Sequence, residues 1–267
     1  MNTESIGQQP LTISNQKSWK VVSSSITGTS HQKKRLPCQD AHHWQLHSDG
    51  VLVAAVADGA GSAAISEVGA DLAVNKAVET ILQQNLLPNS EDGAEWKSLL
   101  IKALEAAKVS VETEANTRQV PLRDLASTLL ITVATPDLVV TAQIGDGAIV
   151  ISDKQDEIIA LTSPQSGEYI NQTTFLVSPN ALDTAQTNIW QGNIANLAMF
   201  SDGLQMLALK MPAGIPHAPF FHPLFSFISQ MNDLDAATKE LEGFLKSPRV
   251  AQRSDDDLTI LLASFQE

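Results

Sequence analysis

The sequence predicts an α+β fold in a single domain: a central antiparallel β-sandwich with helix pairs outside its sheets. Three observations predict it. Strand-like runs come consecutively, and the helical segments are paired between those runs, where a βαβ chain would alternate them. The β-rich runs "STLLITVAT", "LVVTAQIG", "AIVIS" and "EIIALT" are punctuated by "TPD" and "GDG", which read as hairpin turns too short for intervening helices. No internal repeat or low-complexity linker divides the 267 residues, a length that buries a sizeable core.

In chain order, residues 1–18 are rich in Ser, Thr, Asn and Gln and read as a flexible polar tail, leaving 19–267 as the domain. "WKVVSSSITGTS" is strand-like. "VLVAAVA" (51–57) is an uninterrupted apolar run, the mark of a strand buried on both faces. From Ser62 to Gln84 the spacing is helical, with Ile65, Val68, Leu72, Val74, Val78 and Leu82 on one broad face. "LLPNSEDG" breaks the chain, and Ala94 to Thr117 forms a second amphipathic helix through Trp96, Leu99, Leu100, Ala103, Leu104 and Ala107. After the short strands, a loop-rich stretch, "SPQSGEYINQTTFLVSPNALD", leads to the strand "NLAMFS". Helices at about 220–230 and 234–245 follow, and "DLTILLASF" closes the chain as a strand.

Composition excludes several function classes. The formal net charge of -13 argues against a nucleic-acid or anionic-membrane surface, both of which need clustered Lys and Arg, and fits a protein that holds cations. Cys38 is the only cysteine, so no intrachain disulfide forms, and a reducing, cytoplasmic compartment is the simpler expectation. The N-terminus lacks the basic and apolar regions of a signal peptide, and no apolar run approaches the ~18 residues of a membrane span.

The chemistry sits where strands end. "VADGAGSAA" stops the buried run at Asp58-Gly59, and one Asp-Gly pair alone reads as a strand-to-helix turn with a capping carboxylate. Gly59 to Ala64 also fits G-x-G-x-x-A, the dinucleotide fingerprint. Against that reading, Glu79 lies inside the expected helix, and Asp58 sets negative charge where a pyrophosphate would rest. Recurrence decides. Asp146-Gly147 follows another apolar strand, and so does Asp202-Gly203; Asp255, Asp256 and Asp257 precede the last strand, and Asp40 precedes an early one. Carboxylates at one sheet edge repel one another unless cations lie among them. All-oxygen donors at irregular spacing suit Mg²⁺ or Mn²⁺, and without a His/Cys cluster they suit zinc poorly.

Taken in order, "CQDA", "VADGAG", "ASTLL", "IGDG", "FSDGL" and "DDDLTILL" resemble the metal-dependent Ser/Thr protein phosphatases of type 2C, the PPM family. The resemblance runs from about Gly28 to Phe265, and the "GTSH…LPCQDA" and "PQSGEYINQTTFL" stretches are most similar to its compact bacterial branch. It implies a four-layer α/β/β/α sandwich with a binuclear Mn²⁺ or Mg²⁺ site at one end. Water activated between the two metals would attack phosphoserine or phosphothreonine in protein substrates, with no side-chain nucleophile. By the same resemblance Asp58 bridges the metals, Gly59 lends a backbone carbonyl, and Asp202 and Asp256 complete the first metal. Asp40 holds metal-bound water, Asp146 builds a third, weaker metal site with Asp202, and Arg35 binds phosphate. A cognate Ser/Thr kinase is an implied partner.

Several positions depart from the family pattern. Ala60 stands where many members carry a histidine, Gln39 where an acidic residue is common, Ala126 where glycine is usual, and Asp257 where asparagine is frequent. Asp256 is preferred to Asp257 as ligand because its spacing to Thr259 matches. Arg35, beside Lys33 and Lys34, also reads as part of a solvated basic loop. His31, His42, His43 and His47 are expected in surface or pairing roles, and Cys38 lacks the C-x₅-R loop of cysteine phosphatases. The rival of another class is a catalytically silent phosphoprotein-binding module on the same fold.

Overall fold

The computed structural model describes residues 18–47, 50–84, 87–88, 93–164 and 173–266. The expected tail lies outside these residues except for Ser18, which opens the first strand. Strand β1 (Ser18–Ile26) leads into a short helix, α1 (Thr29–Lys34), and then β2 (Ala41–His47) and β3 (Val51–Ala57). Helices α2 (Ser66–Leu82) and α3 (Gly93–Arg118) precede β4 (Leu129–Ala134), β5 (Leu138–Ile144), β6 (Ala148–Asp153) and β7 (Ile158–Ala160). Next come β8 (Gln186–Gln191), β9 (Ile194–Phe200), the one-turn α4 (Gln205–Ala208), and a small ribbon of β10 (Leu209–Lys210) with β11 (Ile215–Pro216). Helices α5 (Ala218–Gln230), α6 (Leu234–Leu245) and α7 (Pro248–Ala251) lead to the last strand, β12 (Leu258–Gln266).

Two five-stranded sheets form, ordered β1-β12-β9-β6-β7 and β2-β3-β4-β5-β8. Every pairing within them is antiparallel. The unbroken apolar run of β3 is explained by its two neighbours. Val51, Val53, Ala55 and Ala57 pack under α2 and α3. Leu52, Ala54 and Val56 face the other sheet, meeting Ile149, Met199 and Leu261. The outer face of that sheet is closed by α5 and α6 through Phe221, Phe225 and Leu241. This is the four-layer order α/β/β/α. Each fully buried Val or Leu contributes about 1.5–3 kcal/mol, so the strand that ends on Asp58 is among the most firmly held in the molecule.

Three details differ from the sequence expectation, and a fourth bears out the case against the dinucleotide reading. "TPD" is a hairpin turn between β4 and β5, but "GDG" is not one: β5 and β6 belong to different sheets, and Gly145–Gly147 carries the chain across. The buried stripe of α2 is Ala70, Ala73, Val74, Ala77, Val78 and Ile81, with Val68, Leu72 and Leu82 at its margins. That helix packs on β2, β3 and α3 together, so its closest contacts require small side chains. Helix α1 and strand β8 carry too little apolar periodicity to have been expected. Finally, β3 is antiparallel to both neighbours and the chain leaves it for two successive helices, which removes the dinucleotide-binding geometry that G-x-G-x-x-A requires. Among the described residues no helix is long and apolar enough to cross a membrane.

Candidate metal centre

Register brings the aspartates to one end of the sandwich. Ala57 pairs with Ala41, so Asp58 and Asp40 sit at the same end of the β2–β3 pair. Phe200 pairs with both Ala148 and Ile260, which places Asp146, Asp202 and Asp256 just beyond one end of the other sheet. Carboxylate oxygens of Asp58, Asp146 and Asp202 all lie within 4.8 Å of one another, and the three residues are half-buried.

Asp58, Asp146 and Asp40 are held by neighbours distant in sequence. The Asp58 N–H donates to Thr128 Oγ1 at 2.9 Å, and its carbonyl accepts from the Thr128 N–H at 2.8 Å. Gly59 forms a bridge with Ser127, and a Cβ on it would stand 2.6 Å from the Gln39 carbonyl oxygen, so only glycine fits there. Asp146 Oδ2 accepts from Thr173 Oγ1 at 2.5 Å, and its carbonyl accepts from the Gln205 carboxamide. Below it, buried Gln143 donates from Nε2 to the carbonyls of Gly145 and Gly147 at 3.0 and 2.7 Å, fixing both sides of the crossing. Asp40 is buried, and its Oδ2 accepts from Ser201 Oγ at 2.7 Å.

The electrostatics are those of anions without a counter-charge. Burial pushes Asp40 up to about 7; hydrogen bonds from Ser201 and Thr259 oppose the shift, and the charges of Asp257 and Asp202 add to it. Burial pushes Asp202 up to about 6. Asp58 is raised well above the ordinary carboxylate range by burial, then by the charges of Asp40 and Asp202, and burial raises Asp146 also. Among the described residues no lysine or arginine pairs with any of them. Asp40 Oδ1 and Asp202 Oδ1 are buried without a hydrogen-bond partner. Unpartnered buried carboxylate oxygens in an all-oxygen donor set fit a hard divalent cation.

Asp256 and Asp257 part company. Asp256 is exposed, accepts from the Asp257 N–H at 2.9 Å, and lies close enough to raise Asp146 and Asp202 electrostatically. Asp257 is buried, its carboxylate accepts from the Gly28 and Gln39 N–H groups, and His31 Nδ1 lies 2.9 Å from Oδ2 without hydrogen-bond geometry. Arg35 is exposed, caps α1 in the left-handed conformation at φ 59°, and pairs with no carboxylate among the described residues. The histidines spread as expected, with His42 Nδ1 2.8 Å from Ser25 Oγ and His31 against Asp257. Cys38 is half-buried, and burial beside Asp40 and Asp257 pushes its thiol far above the ordinary range, the opposite of an activated nucleophile.

The positioning groups that the sequence did not single out are Ser201, Thr128, Thr173, Gln143 and Gln205. Their signal was faint: a hydroxyl next to Asp202 in "FSDG", another in "ASTLL", and a glutamine before "IGDG".

Known proteins resemble this chain in sequence and in fold. The family described as "Protein phosphatase 2C" matches residues 27–246. The chain is 36% identical to Serine/threonine-protein phosphatase 3 of Escherichia coli K12, covering 94% of this chain and 100% of that protein. In fold it is similar to the crystal structure of the serine/threonine phosphatase Stp1 from Staphylococcus aureus, with a TM-score of 0.66 at 13% identity over 99% of this chain and 100% of that one. It is also similar to the S. agalactiae serine/threonine phosphatase, with a TM-score of 0.62 at 16% identity over 93% and 100% of the two chains.

Proposed function

The chain belongs to the protein phosphatase 2C family, and from that membership we propose that it hydrolyses phosphoserine and phosphothreonine esters in proteins with the help of two divalent cations, Mn²⁺ or Mg²⁺. The observation that carries the reading is the trio Asp58, Asp146 and Asp202, whose oxygens converge within 4.8 Å with no cationic side chain described among them.

Bound divalent ions supply an activated water and offset charge on the phosphoryl oxygens. Asp58, Asp202, Asp256 and the Gly59 carbonyl would hold them, and Asp146 with Asp202 would take a third. Asp40 is pinned through Oδ2 by Ser201, which leaves Oδ1 to orient a water. Thr128, immediately before β4, fixes the Asp58 backbone, so that carboxylate keeps its place while charge changes around it. Arg35 would meet the substrate phosphate from the loop after α1. With Ala60 where a histidine is common in the family, protonation of the leaving alkoxide falls to water.

Residues 19–267 form one domain in this reading, which the single inter-sheet core supports. Phosphorylated proteins are the substrates, a Ser/Thr kinase is the opposing partner, and the lone Cys38 favours a cytoplasmic setting. The convergence of the matched carboxylates speaks against a silent binding module on this fold.

The test is hydrolysis of a phosphothreonine peptide and a chromogenic phosphomonoester in Mn²⁺, in Mg²⁺ and in EDTA. The folded Asp58→Ala and Asp202→Ala variants are run beside the parent. Metal-dependent turnover lost in both variants supports the proposal; no turnover by the parent with either metal ends it.

A further inference from the structure

Asp257 adds a buried charge beside an already anionic site, and none of the ligand roles above uses it. Its side chain is 2% exposed, and that of its neighbour His31 is 6% exposed. Oδ1 accepts from the Gly28 N–H at 2.7 Å, Oδ2 accepts from the Gln39 N–H at 2.5 Å, and His31 Nδ1 lies 2.9 Å from Oδ2. A carboxylate with two backbone donors and an imidazole around it is satisfied where it stands and has little reason to turn toward a metal.

Three segments meet around the Asp257 turn, and each carries a residue of the site. Gln39 immediately precedes Asp40, and Asp256 immediately precedes Asp257. Gly203, which follows Asp202, packs so closely on the same turn that a Cβ there would stand 2.1 Å from the Asp257 carbonyl oxygen. On the other side a Cβ on Gly28 would stand 2.1 Å from the Asp256 carbonyl. The Ser30 N–H donates to the Asp255 carbonyl at 2.8 Å, so α1 is fastened to the turn as well.

We propose that Asp257, held by the backbone N–H groups of Gly28 and Gln39 with His31 packed against its Oδ2, is a positioning residue that sets Asp40, Asp202 and Asp256 relative to one another for divalent-cation binding. The inference rests on the metal reading above and deepens it. Asp257 acts from behind the site: rotating its carboxylate away frees the Gln39 backbone, shifts Asp40, and loosens the turn that presents Asp256.

The experiment is calorimetric Mn²⁺ titration of the folded protein, with thermal unfolding in EDTA recorded in parallel, for the parent and for Asp257→Asn, His31→Ala and His31→Asn. Asparagine at 257 keeps the shape but offers one acceptor oxygen to two N–H donors. Asparagine at 31 offers a polar N–H group where the imidazole Nδ1 stands beside Oδ2, whereas alanine leaves that place empty. The expected result is a weakening of Mn²⁺ affinity by about tenfold in Asp257→Asn and His31→Ala, with recovery toward the parent value in His31→Asn. A long-range charge effect alone gives a different pattern, since removing His31 then leaves Mn²⁺ affinity unchanged or improved, and that result overturns the proposal. So does a folded Asp257→Asn protein that binds Mn²⁺ as the parent does, or one that loses an ion from its stoichiometry while His31→Ala keeps it, since Asp257 would then be a ligand. If the parent itself binds no Mn²⁺, the metal reading fails with it, which the parent titration alone reveals.

Discussion

Ser201 donates its hydroxyl to Asp40 across 2.7 Å, joining residues 161 positions apart, and the same oxygen accepts the Thr259 N–H at 3.1 Å. One small side chain thereby ties the residue before β2 to the end of β9 and the start of β12. Ser201→Ala leaves Asp40 Oδ2 and the Thr259 N–H without that partner in a buried place. The expected loss is about 1–3 kcal/mol of stability in urea unfolding, with weaker Mn²⁺ binding because Asp40 takes up a proton more readily. An unfolding midpoint identical to the parent's would show that the hydrogen bond is idle.

The raised carboxylates predict how the metal-free protein responds to pH. Asp40 is pushed up to about 7 and Asp202 to about 6, from an ordinary value of 3.8, chiefly by burial. Between the ordinary and the raised values the folded protein holds protons that the unfolded chain has released. Stability in EDTA therefore falls as pH climbs through that window and levels off above it. Melting temperature in EDTA is expected to drop between about pH 4 and about pH 7, and excess Mn²⁺ to restore far more above that window, where it displaces no protons. A flat pH profile in EDTA would contradict the picture of uncompensated buried carboxylates.

The convergence of Asp58, Asp146 and Asp202 was legible before the fold was known, because each follows an apolar run, and the end of a buried strand is a position that sequence periodicity locates well. The sheet to which each strand belongs was less legible. Strands β5 and β6 are separated by three residues, as in a hairpin, yet Gly145–Gly147 crosses between sheets, and local turn chemistry is the same either way. Strand β8, "QTNIWQ", is an edge strand with no fully buried residue, so its apolar alternation is blurred. The role of Asp257 was illegible for a plainer reason: its backbone donors lie 229 and 218 residues away.

Neutralising Asp58 separates activity from stability. Asp58→Asn keeps the shape and removes one carboxylate from a crowded set. In EDTA near neutral pH the variant is expected to melt above the parent, while metal-dependent hydrolysis falls by at least about a hundredfold. If the variant melted below the parent under these conditions, repulsion among Asp40, Asp58 and Asp202 could not be what chiefly destabilises the metal-free protein.

Two glycines offer a matched contrast for the close packing around the site. Gly243 lies within α6, and a Cβ added there meets nothing within 4 Å. Gly243→Ala therefore gains helix propensity without a clash and should stabilise the protein by about 0.5–1 kcal/mol. Gly203 is the opposite case, since its Cβ would stand 2.1 Å from the Asp257 carbonyl oxygen, a backbone atom with no rotamer to yield. Gly203→Ala must push the turn after Asp202 away from the turn after Asp256. Its expected signature is a destabilisation of about 1–3 kcal/mol together with weakened Mn²⁺ binding, whereas Gly243→Ala leaves binding unchanged. The pairing matters because a loss of stability alone would report only bad packing. Weakened metal binding confined to Gly203→Ala would report that the two turns must touch for the carboxylates to act together.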